Sequence, residues 1–560
     1  MPRTVGIGHQ DFEQIITNHN FYVDKTMFIK EWWENNDAVT LITRPRRFGK
    51  TLNLNMTEYF FSVSHCRRSD LFQHLSIWQE EKYRDWQGTY PVIFLSFAGV
   101  KETSFSDARK SICQIIKNLY NKYDFLLESG HLNENEREMY HQISAHMENY
   151  LAANSLNALS DYLMRYYGKK VIILLDEYDT PMQEAYVHGY WDELVSFIRT
   201  LFNCTFKTNP FLERAIMTGI TRVSKESIFS DLNNIEVVTT TSEKYETSFG
   251  FTQEEVWEAL KEYDLFDEIE HVQAWYDGFT FGRSQDIYNP WSIINFLDKR
   301  KFSPYWANTS SNSLVGKLIR EGSADTKMVM EDLLSGRALC TQIDEQIVFS
   351  QLGSKESAVW SLLLASGYLR VKHWSMDKRG RMIYELILTN REVLLMFEQM
   401  VEDWFSDFTP AYNSFIKALL LDDKKAMNVY MNRVAFTTFS YFDTGKHPSE
   451  TTEPERFYHG FVLGLLVDLA GRYTITSNRE SGFGRYDVVL EPLLDTDDAV
   501  ILEFKVHDPD EEDTLADTAQ EALEQIERME YSAALQAKGI PPERIRRYGF
   551  AFEGKKVFIG

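Results

Sequence analysis

The chain has 560 residues, more than one compact core accommodates, so three or four domains are expected. Its 44% apolar and 25% charged residues fit an ordinary globular protein, and its formal charge of -24 opposes non-specific attraction to a phosphate backbone. Any role on nucleic acid must therefore rest on local basic surface or on a partner that supplies it.

The N-terminus, MPRTVGIGHQDFEQ, has no apolar signal region. No run approaches the roughly 18 apolar residues of a spanning helix. A membrane partner is not expected. Cys66, Cys113, Cys204 and Cys340 are scattered and form no CxxC pair, which argues against a disulfide scaffold or a cysteine-rich zinc site. A reducing cytoplasm is the expected compartment.

Residues 1–250 read as an α/β domain. Strands are predicted at 38–43 (AVTLIT), 89–97 (TYPVIFLSF), 171–179 (VIILLDEYD) and 211–221 (FLERAIMTGIT). Between them, Ile112, Ile115, Ile116 and Leu119 follow helical spacing. Apolar strands alternating with helices predict a largely parallel sheet covered on both faces. In residues 251–400, Thr252 is a predicted N-cap for a helix beginning FTQEEVWEAL. VWSLLLASGYLRV and RMIYELILTN read as a helix, wing-like strands and a return. Residues 401–560 open with helices. They continue with an apolar helix at 457–470, strands RYDVVLEPL and AVILEFKV, a helix LADTAQEALEQIERMEY, and closing strands with a turn at Glu553-Gly554.

Two constellations carry chemistry. RPRRFGKT, residues 44–51, lies between a predicted strand and helix, where a phosphate-binding loop belongs. Gly49 admits a phosphate close to the backbone. Lys50 can neutralise β and γ oxygens, and the Thr51 hydroxyl can ligate Mg²⁺. Arg44 stands where GxxxxGK[ST] has its first glycine, so the turn must form without it; an ordinary basic turn is the alternative reading. Asp176 and Glu177 end a strand, where α/β sheets place ligands. Asp176 suits Mg²⁺ through water, and Glu177 suits orientation or deprotonation of attacking water. Asp179 could assist or serve as a cap or ion-pair partner. Thr218, Thr221 and Arg222 end the next strand, where a polar group could sense the γ-phosphate or simply cap. Arg44, Arg46 and Arg47 could shape the loop or reach a neighbouring subunit.

RPRRFGKT, with FYVDKT at 21–26, LLDEYDTP, TGITRVSKESIFSDLNN, WYDGFTFG at 275–282, YNPWSI at 288–293 and YWANTS at 305–310, resembles the AAA-ATPase-like family common in Bacteroidetes. The likeness covers roughly residues 5–310. It implies a P-loop NTPase core of AAA or STAND-like type with ATP and Mg²⁺ as its ligands, and residues 251–400 read as a helical lid and a winged-helix-like module. It maps Lys50 and Thr51 onto the phosphate-binding pair and Asp176 and Glu177 onto the magnesium and water-activating pair. Arg46, Phe48, Gly49 and Thr221 complete the expected nucleotide contacts.

In the second constellation, Asp487 lies on one predicted strand and Glu503 and Lys505 on the next. Residues i and i+2 share a strand face, so a hairpin brings all three together. Two carboxylates can hold a divalent ion, and a lysine can orient water beside a phosphate. A salt-bridge cluster is the alternative. ERFYHGFVLGLL, GRYDVVL, ILEFKV and ALEQIERMEY resemble the PD-(D/E)XK nuclease superfamily, with Tyr486 in place of its proline. That likeness covers about residues 420–560. It implies a restriction-endonuclease-like α/β domain with Mg²⁺ or Mn²⁺, Asp487, Glu503 and Lys505 as its core, and Glu455 and Gln525 as added members. His459 reads better as a packed histidine than as a ligand.

Ten acids against Lys505 between Glu491 and Asp513 work against phosphate binding. Arg544, Arg546, Arg547, Lys555 and Lys556 either form a phosphate-binding wall or balance those acids. The partners indicated are a nucleic acid of undetermined type and a second copy or partner protein. An ATP-regulated nuclease, a nucleotide-dependent switch with a non-cleaving nuclease fold, and a protein-remodelling ATPase are the three functions consistent with the residues.

Overall fold

The computed structural model describes residues 2–221, 229, 232–307, 313–320, 323–344, 352, 356–406, 409–438, 462–466, 469, 471–481, 484–494, 496–509 and 512–560. The chain divides into two compact units. One comprises residues 1–315 and 338–396, the other residues 316–337 and 397–560.

The first unit is built on a five-stranded parallel sheet. Its strands are β1 (Val39–Thr43), β2 (Val92–Ser96), β3 (Val171–Asp176), β4 (Leu212–Gly219) and β5 (Ile235–Val238), in the order β2-β3-β4-β1-β5. Every residue of β1 and β3 is buried, which explains why both read as uninterrupted apolar runs. Because the strands are parallel, the ends of β1, β3 and β4 lie on one edge. The helix Phe105–Lys122 packs Ile112, Ile116 and Leu119 inward, and its Ser104 side chain accepts from Asp107 N. Asn53, Leu54, Met56, Phe60 and Phe61 bury one side of the helix Lys50–Phe61 that follows β1.

Thr252 and Glu255 form a reciprocal capping box at the start of the helix Gln253–Glu262. A short antiparallel pair follows, β6 (Phe279–Phe281) with β7 (Ser284–Ile287). Asn289 then caps the helix Pro290–Lys299 by accepting from Trp291 N and Ser292 N. The next sheet, ordered β8-β10-β9, contains β8 (Leu339–Thr341), β9 (Leu369–Met376) and β10 (Met382–Leu388). The helices Glu356–Ala365 and Arg391–Ser406 flank β9 and β10 in sequence.

The second unit holds a five-stranded mixed sheet in sequential order. Its strands are β11 (Tyr473–Ser481), β12 (Gly484–Pro492), β13 (Ala499–Val506), β14 (Ile545–Glu553) and β15 (Lys556–Ile559). Only β13 and β14 run parallel; the helix Leu515–Arg528 lies in the crossover between them. One face packs against the helices Thr409–Leu420 and Lys424–Thr438 through Phe415, Met427, Met431 and Val434. Most of the expected apolar helix at 457–470, with His459 and Glu455, lies outside the described residues. Among the described residues no helix is long and apolar enough to cross a membrane.

Candidate functional site

The loop after β1 solves its missing glycine with the residue that replaces it. Arg44 is fully buried. Its guanidinium donates to the carbonyls of Thr43 at 2.9 Å and Thr239 at 2.7 Å, with longer bonds to Lys244 and Tyr245, and lies 4.5 Å from the centre of the Phe281 ring. The side chain therefore leads away from the loop into the interior. Burial lowers its pKa, and the ring of carbonyls compensates for the lost water. The left-handed backbone positions fall later, at Arg47 (φ 64°) and Gly49 (φ 81°). Gly49 is also the residue immediately before the helix Lys50–Phe61. Arg44 thus shapes the loop and is too buried to reach a second subunit. Arg47 is exposed and stacks 4.5 Å from the Trp291 ring, and Arg46 donates to Gln183 Oε1 at 3.3 Å.

Lys50 is 6% exposed and donates to the carbonyls of Arg44 at 2.9 Å and Pro45 at 2.8 Å. Burial lowers its pKa, while Glu177, Asp176 and Asp179 oppose that shift. The Thr51 hydroxyl donates to Asp176 Oδ2 at 2.8 Å, and the Thr218 hydroxyl donates to Asp176 Oδ1 at 2.6 Å. Burial raises the Asp176 pKa, and these two hydroxyls pull it back down. One carboxylate thus joins the first turn of the helix Lys50–Phe61 to the end of β4.

Glu177 stands beside it with φ 49°, a left-handed conformation that costs a non-glycine residue about 1 kcal/mol or more. Its carboxylate accepts from the Thr180 hydroxyl at 3.1 Å. Asp179 has a different surrounding. It is 1% exposed, and its Oδ2 accepts from Ile220 N, Thr221 N and the Thr221 hydroxyl at 2.8–3.0 Å. It makes no side-chain cap, so the capping alternative is corrected: Asp179 anchors the turn after β4. Thr221 faces Asp179 and is committed to it. Arg222 lies outside the described residues.

Distant sequence motifs converge on this loop. Asn289 Nδ2 and Trp306 Nε1 both donate to the Arg46 carbonyl, at 3.2 and 3.0 Å. Glu392, fully buried, accepts from the Ser292 hydroxyl at 2.8 Å and from Trp306 N at 2.6 Å. Burial holds the Glu392 carboxyl at about 7. Phe48 packs edge-on against Phe279 and Phe281, with centroids 4.8 and 5.3 Å apart. Beside Gly49 opens a cavity of about 110 Å³, walled by Phe21, Tyr22, Phe48, Leu52, Phe251 and Ile294. Sequence reasoning missed this pocket. The signal was FYVDKT, whose Lys25 donates to Glu255 at 2.6 Å and fixes that segment against the helix Gln253–Glu262.

In the second unit, Asp487 and Glu503 lie across from one another on β12 and β13, next to the paired Val488 and Leu502. Phe504 N donates to Asp487 Oδ2 at 2.8 Å, and Asp487 N donates to Glu503 Oε2 at 3.4 Å. Glu503 is 2% exposed and also accepts from Gln525 Nε2 on the helix Leu515–Arg528. Lys505 points to Glu521 on the same helix, Nζ to Oε1 3.6 Å. Among the described residues no three His, Cys, Asp or Glu side chains gather as a metal would require. Two hard carboxylate oxygens from adjacent strands remain a donor set that suits Mg²⁺ or Mn²⁺ better than zinc.

The phosphate-wall reading of the C-terminal basic run is corrected for its arginines. Arg544 and Arg546 pair with Asp498 at 3.4 and 2.5 Å, and Arg547 pairs with Glu527 at 3.4 Å. Lys556 pairs with Glu553 at 3.0 Å. Arg472 and Lys538 take Asp497 and Glu491. These side chains balance the acids and are spent on neighbours.

Two families match this chain. The AAA-ATPase-like family, described as "Predicted AAA-ATPase", matches residues 6–229, and the PD-(D/E)XK nuclease superfamily matches residues 453–560. An uncharacterized protein in the vnfD 5'region of Azotobacter chroococcum mcd 1 is 24% identical over 546 residues, covering 96% of this chain and 94% of its own. Both matches fall on the regions whose geometry is given above: the chain joins an AAA-ATPase-like domain to a PD-(D/E)XK nuclease-like domain.

Proposed function

We propose that the first unit binds and hydrolyses ATP, and that the C-terminal domain is a divalent-metal-dependent phosphodiesterase whose assembly or access is gated by that hydrolysis. The observation that carries the proposal is the hydrogen-bonded series Thr51–Asp176–Thr218 beside Lys50, at the sheet edge where parallel strands place ligands. In this reading Lys50 leaves two backbone carbonyls for phosphate oxygens. Thr51 and Asp176 hold Mg²⁺, and Glu177 orients and deprotonates the attacking water. The cavity beside Gly49 seats the base against Phe21, Leu52 and Phe251. At the second site Asp487 and Glu503 hold Mg²⁺ or Mn²⁺, with Lys505 directed at water. Such an ion supplies positive charge against a phosphate oxygen. The strand pair of β9 and β10 with its flanking helices is the winged-helix-like module of this reading.

A second reading is favoured by a specific observation. Lys505 is turned to Glu521, and Glu503 already accepts from Gln525. A nucleotide-dependent switch whose nuclease-like domain binds without cutting would keep such an arrangement. Incubating linear and circular DNA and RNA with Mg²⁺ or Mn²⁺, with and without ATP, separates the two. Cleavage abolished by Asp487→Ala supports the nuclease; no cleavage in any combination, with ATP turnover intact, supports the switch.

A further inference from the structure

Among the described residues, a basic, aromatic ribbon end is used by neither constellation. From Arg370 to Arg381 the sequence RVKHWSMDKRGR holds five lysines and arginines against one acid, in a chain whose net charge is -24. This stretch forms β9 and the turn into β10. Residues 372–376 and 378–381 are all exposed, on both faces of the strand. β9 is the edge of its sheet, so the ribbon end stands in solvent. Trp374 is 57% and Met376 63% exposed. They pair across the ladder with Tyr384 and Met382, so these four residues share one face of the ribbon.

The turn is firmly built. Asp377 N donates to the Arg381 carbonyl at 2.9 Å, and Gly380 N donates to the Asp377 carbonyl at 3.0 Å. The Asp377 carboxylate accepts from Arg379 N and from Arg381 Nε at 2.8 and 2.7 Å. That carboxylate is committed to closing the turn. Lys372 pairs with Glu385 at 2.8 Å. Lys378 and Arg379 are the cations left at the tip. Edge strands often carry lysine to discourage pairing with another chain. That explains Lys372. It does not explain an exposed indole and thioether beside the tip cations, since exposed apolar area has a cost that guarding an edge does not require.

We propose that the β9–β10 ribbon is a contact surface for single-stranded nucleic acid, with Lys378 and Arg379 against phosphates and Trp374 stacked on an unpaired base. Positive charge at a projecting tip complements a phosphate backbone that the rest of the acidic chain repels. An exposed indole offers a flat face to any base, and that face is available only where the base is not already stacked in a duplex. The proposal does not depend on either catalytic reading.

The test is fluorescence anisotropy of a labelled 20-nucleotide single strand and of the matching duplex, titrated with the full chain. It is run in EDTA, so that metal-dependent cleavage cannot consume the probe. Wild type should prefer the single strand. Trp374→Ala should bind the single strand at least about fivefold more weakly and lose that preference. Lys378→Glu with Arg379→Glu should weaken both, and the salt slope for the single strand should become shallower by at least about 1.4. Lys378→Gln with Arg379→Gln should fall between wild type and the charge reversal. All substitutions lie at exposed positions, and an unchanged thermal midpoint certifies the fold. Single-strand affinity unchanged in the Trp374 or the tip variants would overturn the proposal, as would equal affinity of wild type for strand and duplex.

Discussion

The two chemical constellations differ in how their charges are held. Around Lys50 the acids are set by hydroxyls and backbone amides drawn from other elements: Thr51 of the helix Lys50–Phe61 and Thr218 of β4 for Asp176, Ile220 and Thr221 after β4 for Asp179. Each group has a separate partner, and of the three acids Glu177 is the one held at positive φ. Around Glu503 the partners lie within one sheet-and-helix pairing. Asp487 is tied to Phe504 N, Glu503 to Gln525, and Lys505 to Glu521. The first arrangement fixes its acids while leaving roles divided. In the second, the lysine and one carboxylate are already engaged by a single helix. Preorganisation in the two places thus has different sources, and perturbations should separate them.

The largest separation is expected at Glu177. Glu177→Gln keeps shape and hydrogen bonding but cannot accept a proton, so ATP turnover should fall by about 10²–10⁴ with binding retained. Steady-state hydrolysis beside nucleotide titration measures both. Normal turnover would remove the water-activating role, and Asp179, engaged with four donors from Ile220, Thr221 and Gln183, could not inherit it. Next, Lys50→Ala should weaken ATP by roughly 100-fold, about 3 kcal/mol, because the cation facing the phosphates is lost. Calorimetry checks it, and unchanged affinity would reject the loop assignment.

At the second constellation the effects should be smaller. Glu503→Gln should weaken Mn²⁺ binding by at least about tenfold, whereas Lys505→Ala should spare the metal and reduce only cleavage. Equal Mn²⁺ affinity in wild type and Glu503→Gln would make the cluster a structural one. The smallest effect concerns pH. Burial raises the Glu392 carboxyl from 4.5 to about 7, so between those values the folded chain holds a proton that the unfolded chain has released. Stability from this group is therefore full below pH 4.5 and declines as pH rises towards 7. The thermal midpoint of wild type should drop by a few °C more than that of Glu392→Gln across this window. Parallel pH profiles for the two proteins would place the titrating group elsewhere.

Features set by neighbours in sequence were legible from the residues: the strand–loop–helix around Gly49, the cap at Thr252, the turn at Glu553-Gly554, and the strands bearing Asp487 and Glu503. β11 was not anticipated, since in YTITSNRES only Tyr473 and Ile475 are apolar and the six residues after Ile475 are all polar, so neither alternation nor an apolar run marks the strand. What escaped the sequence lies in long-range polar pairings. Asp179 meets Thr221 across 42 positions, Trp306 meets Arg46 across 260, and Arg546 meets Asp498 across 48. No periodicity encodes such partners, because hydrogen bonds of this kind depend on where separate elements come to rest. The roles of Arg44 and of the basic run at 544–556 were open for the same reason.

Gly367 gives the nucleotide loop a mechanical setting. It sits at φ 85°, and a Cβ there would come within 2.8 Å of Phe279 Cε1 and of Pro45 Cγ, less clearance than a methyl group needs. Pro45 is the loop residue whose carbonyl accepts from Lys50. A substitution at position 367 would thus act as a wedge, pressing on the loop from behind without touching a charged group. The tolerance of this fit is set some 320 residues downstream of the loop, in the turn between the helix Glu356–Ala365 and β9. Shims of increasing size there, alanine then valine, would detune the lysine in graded steps.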